Sequence, residues 1–181
     1  MRRPLLAALT LLVGALPIAP VALGSHSIAR GRVVLLRART ATSGCEAGTE
    51  PDRRCSPGAY SSGLTKKVLC NRRFRTSTIR NVPRGEKYAV EREYGMEARP
   101  YGRTIEIDHI VSLELGGANN IANLFPEPGS GPANYHDKDK LENRLHAMVC
   151  AGGIGLRAAQ AKIAADWESL YATVFGVPPG A

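Results

Sequence analysis

Four cysteines, Cys45, Cys55, Cys70 and Cys150, constrain the fold of this 181-residue chain more than any other feature. What they impose depends on the compartment, and residues 1–24 speak to that. Arg2 and Arg3 give a positive start, Leu5 to Leu16 is an apolar run, Pro17 and Pro20 break it, and Ala22-Leu23-Gly24 offers small residues where a signal peptidase reads. This is the order of a secretory signal peptide, with cleavage near Gly24 and Ser25 as the first mature residue. The apolar run is short of the roughly 20 residues a membrane span requires. The sequence therefore predicts a secreted or extracytoplasmic protein with no stable membrane association after cleavage, in a compartment where cysteines oxidise. Four cysteines allow three pairings. No Cys-x-x-Cys pair exists, which argues against a zinc knuckle. Cys45 and Cys55 bracket a Gly/Pro/Asp-rich turn region suited to a small closed loop, and Cys70 and Cys150 then tie a basic segment to a C-terminal helix. The expected pairing is 45–55 and 70–150.

Removing the leader leaves about 160 residues, a length for one domain that buries roughly 70% of its unfolded surface. An apolar fraction of 44% with 22% charged residues excludes global disorder. The net charge of +8 is unevenly spread. Residues 65–103 carry 11 basic and 4 acidic side chains, whereas residues 104–181 carry 5 and 9. A basic middle beside an acidic C-terminal half suits a polyanionic partner.

Texture divides the chain into a leader (1–24), an N-terminal region of strand and loop (25–64), a main domain (65–175) and a tail (176–181). Helices are expected over Thr65–Cys70 and Gly85–Tyr94. Thr104–Asp108 alternates and predicts a strand. Lys138–Val149 places Leu141, Leu145, Met148 and Val149 on one helical face, and Gly152-Gly153 stops it. Leu156–Val174 repeats a helical pattern through Ala159, Ile163, Trp167 and Leu170, with Trp167 in the core.

The chemistry-bearing stretch is Glu106-Ile107-Asp108-His109-Ile110-Val111-Ser112-Leu113-Glu114-Leu115-Gly116-Gly117, followed by Asn123-Leu124-Phe125-Pro126. It resembles the HNH endonuclease family: an Asp-His pair ending a strand, a Leu-x-Leu-Gly-Gly turn, and an Asn-Leu opening the next strand. Lys138–His146, Val149–Gly152, Arg54–Ala59 and Cys70 look like a subgroup of small secreted bacterial HNH proteins. The resemblance implies an α+β fold, a ββα-metal finger with flanking helices, stapled by disulfides. It assigns Asp108 to a divalent metal, His109 to the general base, and Asn123 to bracing the loop and orienting the histidine. The metal is expected to be Mg²⁺, with Mn²⁺ or Zn²⁺ as alternatives.

A phosphodiester is an anion, so its hydrolysis requires charge neutralisation and a base. A divalent cation supplies the first, and a histidine titrating near neutrality supplies the second. Neighbours on a strand point to opposite sides, so Asp108 and His109 address metal and water separately. The chain departs from the family pattern after the second strand, where Glu127–Pro132 is a loop without cysteines. The third functional residue is His136, Asn134 or Asp137. His136 is favoured, because imidazole is a good ligand and the position opens a helix.

Lys66, Lys67, Arg72, Arg73 and Arg75, with Phe74 among them, suit tracking of a phosphate backbone. The expected activity is a secreted, monomeric, metal-dependent endonuclease acting on nucleic acid, taken as DNA, with little sequence preference. The competing class is an exported, non-enzymatic binding protein that keeps the fold with an impaired metal site.

Overall fold

The computed structural model describes residues 31–96 and 104–181; the leader and His26 lie outside them. The architecture is mixed α+β, with two small antiparallel sheets, five helices and two disulfides. β1 (Val33–Leu35) pairs with β2 (Ala59–Ser61). α1 (Lys66–Leu69) and α2 (Arg84–Glu93) come next, close to their expected bounds. β3 (Ile105–His109) pairs with β4 (Leu124–Pro128), and α3 (Tyr135–Ala151), α4 (Leu156–Ala165) and α5 (Trp167–Phe175) complete the order.

The register of the second sheet sets two faces. Asp108 lies opposite Phe125 and Glu106 opposite Glu127; Ile107 lies opposite Pro126 and His109 opposite Leu124. Cross-strand partners share a face. Glu106, Asp108, Phe125 and Glu127 therefore line one side, and Ile107, His109, Leu124 and Pro126 the other. The loop joining the strands turns at Gly116-Gly117, where two glycines are required for different reasons. Gly116 has φ +79°, a left-handed conformation that a side chain disfavours. A Cβ on Gly117 would stand 1.7 Å from the Val111 carbonyl oxygen.

α3 begins at Asn134, whose side-chain oxygen accepts from the His136 backbone N–H, and ends at left-handed Gly152. Its buried stripe is Asp137, Lys138, Leu141, Leu145 and Val149. Those leucines and Val149 pack with Leu124, Phe125, Ile163 and Trp167, all 1% exposed or less. Each such side chain contributes about 1.5–3 kcal/mol on burial.

The helical pattern expected to run through Leu156–Val174 is two helices. Asp166 between them has extended backbone, and its carboxylate accepts from the Ser169 backbone N–H and hydroxyl. A short acid that caps a new N-terminus outcompetes helix continuation.

The disulfides are Cys45–Cys55 and Cys70–Cys150, the expected pairing. The second spans 80 residues, worth about 4.5 kcal/mol in the chain-entropy account. Residues 31–64 are built into the molecule. The Ser56 hydroxyl donates to the Leu124 carbonyl, Arg39 pairs with Glu93, and the Trp167 indole N–H donates to the Thr49 carbonyl. The tail is in contact too, since Gly180 lies against Pro132. Two disulfides suit an oxidising environment, and among the described residues no helix is long and apolar enough to cross a membrane.

One acid at the seam between the N-terminal region and α5 makes stability pH-dependent. Glu50 accepts from the Glu168 backbone N–H at 3.0 Å. Burial, with Asp166 and Glu168 nearby, pushes its carboxyl up to about 7 from 4.5. The folded state thus binds this proton more tightly than the unfolded chain, and its stability falls as pH rises from 4.5 through 7. Glu50→Gln keeps an acceptor and removes the charge. At pH 8 the variant should be about 1 kcal/mol more stable than wild type, after allowance for solvent screening. The difference should vanish near pH 4.5. Urea titrations at the two pH values measure it, and equal stabilities at pH 8 would refute the assignment.

Candidate functional site

The Asp108-His109 pair sits where β3 runs out, and the loop beyond the pair is held by one side chain. Asn123 is fully buried and makes four hydrogen bonds. Its carbonyl oxygen accepts from the Ala59 and Val111 N–H groups, and its amide donates to the Val111 and Ala118 carbonyls. It therefore fixes the loop on both sides of the Gly-Gly turn to β2. None of these bonds goes to His109. Bracing of the loop by Asn123 is as expected; direct orientation of the histidine belongs to another residue.

That residue is Asn119. Its amide donates to the Ile79 carbonyl at 2.6 Å, which leaves its oxygen facing the His109 Nε2 at 3.0 Å. An acceptor at that distance requires the proton on Nε2 and leaves Nδ1 with a free lone pair. Nδ1 is 3.9 Å from Asp108 Oδ1. Burial holds the imidazole below its ordinary value, against the opposing pull of Asp108. The ring is thus neutral at neutral pH and carries its base on the side of Asp108.

The other face of the hairpin holds a buried ammonium. Lys138, 1% exposed, donates to Asp108 Oδ2 at 2.6 Å, Glu142 Oε1 at 2.6 Å and the His109 carbonyl at 2.8 Å. Its Nζ is also 3.4 Å from Glu127 Oε2. Burial opposes the charge on Lys138, but Asp108, Glu127 and Glu142 outweigh it and hold the ammonium well above its usual value. Burial likewise raises Asp108, but Lys138 and His109 reverse the sign and keep its carboxyl below the ordinary range. Glu127 goes the other way: burial exceeds the help from Lys138 and pushes it well up. Glu142 is pushed up by burial to about 8. Asp108 and Lys138 therefore carry the lasting charges of the cluster, while Glu127 and Glu142 hold protons readily.

A cavity of 280 Å³ opens over this pair. Glu106, Asp108, Asp139 and Glu142 line it together with His109 and Arg80. Burial first, then the negative charge of Asp108, raises both Glu106 and Asp139, and Arg80 works against the rise in each. Carboxylates that raise one another's pKa form a concentrated negative field, the environment a hard divalent cation neutralises. The oxygen donors fit Mg²⁺ or Mn²⁺ better than Zn²⁺. Asp108 offers Oδ1, because Oδ2 is engaged by Lys138.

His136 stands differently from its expected role. It is exposed, stacks beside Tyr135 at 4.2 Å between ring centroids, and does not line the cavity. Its charge is felt by Asp139, one turn further along α3, which does line it. Asn134 is used as the helix cap, and Asp137 is buried with an ion pair to Lys140 at 2.9 Å. Of the α3 acids, Asp139 and Glu142 reach the cavity that Asp108 opens into.

Set apart from the cavity, Cys70, His146 and Cys150 are the one group of His, Cys, Asp or Glu among the described residues whose ligand atoms lie within 4.8 Å of one another, the kind of set that holds a metal ion. Both sulfurs are joined to each other, and only thiolates are strong ligands, so a metal there requires the reduced protein. Compared with protein-family models, curated proteins and solved structures, the chain matches none. What the residues bring together at one strand end is a buried imidazole, a cavity lined by carboxylates and an arginine.

Proposed function

We propose that the chain is a secreted, metal-dependent nuclease of the HNH type that hydrolyses phosphodiester bonds in DNA with little sequence preference. In this reading β3, β4 and the start of α3 form the ββα-metal finger. The observation that carries it is His109, whose Nε2 proton is tied to Asn119 while Nδ1 opens toward Asp108 in the wall of an acidic cavity.

Each residue has a task its surroundings suit. His109 Nδ1 takes a proton from the attacking water. Arg80, whose charge is felt at His109, Glu106 and Asp139, binds a non-bridging phosphate oxygen. Asp108 and Asp139 would hold the divalent cation, with Glu106 adding negative field and Glu142 free to give up its proton once the cation is bound. Bound there, such a cation supplies charge neutralisation at the phosphate and at the leaving oxygen. Lys138 fixes Asp108 by one oxygen, so that the other faces the cavity. The exposed arginines 72, 73 and 75 supply sequence-independent attraction for the phosphate chain.

Lys138 also favours a second reading. An ammonium already neutralises Asp108 and Glu142, which is what an exported binding protein with an impaired metal site would retain. Incubating the mature chain with supercoiled plasmid, in EDTA and with Mg²⁺ or Mn²⁺, separates the two. Nicking and linearisation that depend on the cation support the nuclease. A shifted but uncut plasmid under every condition supports the binding protein and overturns the first reading.

A further inference from the structure

A second cavity, of 480 Å³, adjoins the acidic one across Arg80, which lines both. Asn119, the partner of the His109 ring, lies in its wall. Its volume falls in the ~300–1,000 Å³ range of small-molecule sites. The two cavities differ sharply in chemistry. Among the described residues the first is lined by four carboxylates, and the second by none. Val33, Leu64 and Ile79 give it aliphatic surface, and Asn81 and Asn119 give it amide donors and acceptors.

We infer that this second cavity is a nucleotide subsite, holding the sugar and base next to the phosphate that lies beside His109. The inference rests on the nuclease reading for the position of that phosphate. A nucleoside presents a flat apolar face and a polar edge, and the aliphatic and amide groups match those two needs. A polyanionic strand is repelled by the carboxylates of the first cavity except where a cation screens them. It meets no such charge in the second, and Arg80 stands at the junction to bind the phosphate between them. Among the described residues no aromatic ring lines the cavity, so stacking adds little. The subsite accepts any base and favours unpaired strands, whose bases are free to turn outward.

Val33 is 48% exposed, so Val33→Glu places a negative charge in the wall without disturbing the core. Val177, 46% exposed and not in the wall, takes the same change as a control. A fluorescent single-stranded hexanucleotide, titrated in EDTA, reads binding without cleavage. Val33→Glu should weaken it on the order of tenfold, with Val177→Glu equal to wild type. With cation present, Val33→Glu should raise KM and leave kcat unchanged. Equal affinities for the two variants, no binding by wild type, or equal competition by polyglutamate would overturn the subsite. Wild type that binds the hexanucleotide through Val33 yet cleaves nothing would overturn the nuclease reading and leave the subsite standing.

Discussion

Replacing His109 with alanine should lower the rate of plasmid cleavage by about 10²–10⁴-fold, the usual contribution of a general base. The imidazole is presented by two amide contacts in series, Ile79 to Asn119 and Asn119 to His109 Nε2. That chain fixes the tautomer before substrate arrives and leaves Nδ1 as the one basic atom. The ring is 3% exposed, so its removal also strands the Asn119 oxygen, at a cost of about 1–3 kcal/mol. His109→Gln guards against misreading that loss. Its amide N–H still satisfies Asn119 but has no basic lone pair, so it should be as inactive as alanine and closer to wild type in melting temperature. Mn²⁺ affinity, measured by calorimetry, should change little in either variant, because His109 is assigned no bond to the cation. A rate within threefold of wild type at neutral pH for both variants would remove His109 from the chemistry.

Much of this site was legible in local sequence, and what was hidden has a common cause. The alternation before Asp108, the Gly-Gly turn and the Asn-Leu of β4 report backbone geometry within a few residues, and the structure bears out strand, turn and strand. Disulfide pairing was legible from loop size. By contrast Asn119 takes its role from contacts 10 and 40 residues away and Lys138 from contacts 29 and 30 residues away, and Arg80 joins a cavity whose other lining residues lie far along the chain, all brought together by packing. Lys138 did leave a trace. It stands three and seven residues before Leu141 and Leu145, on the stripe that α3 buries. A lysine on an apolar stripe signals a buried partner, and here the acids come from three elements, Asp108 of β3, Glu127 of β4 and Glu142 of α3. The preference for His136 rests on ligand chemistry and on its place at the start of a helix. His136 and Asp139 lie one turn apart on α3, and the packing of that helix on the hairpin, which the sequence does not show, leaves Asp139 rather than His136 in the cavity wall. The split at Asp166 was missed because apolar periodicity continues through it, whereas the capping residue interrupts the backbone.

Lys138→Met should destabilise the protein by about 3–5 kcal/mol in the absence of divalent cations, the cost of stripping a buried charge of its partner. Methionine fills the space of the stem, so the loss is one of charge and hydrogen bonds. Of the three acids around the ammonium, Glu127 and Glu142 absorb part of the damage by taking protons, since burial already drives both that way. Asp108 loses most, because Lys138 is the chief group that holds its buried carboxyl low. The variant should therefore concentrate its deficit on Asp108, and the midpoint of thermal unfolding should fall by about 6–20 °C. Adding Mg²⁺ or Mn²⁺ should return more of that deficit to the variant than it adds to wild type, because the cation supplies the charge that the lysine had provided. At 100 times its dissociation constant a ligand returns about 2.7 kcal/mol. Lys138→Met combined with Asp108→Asn should be more stable than the single variant, as the stranded acid is then neutral by construction. A cation-free single variant as stable as wild type would show that the ammonium is dispensable. Asp108 would then owe its position to the β3–β4 register alone.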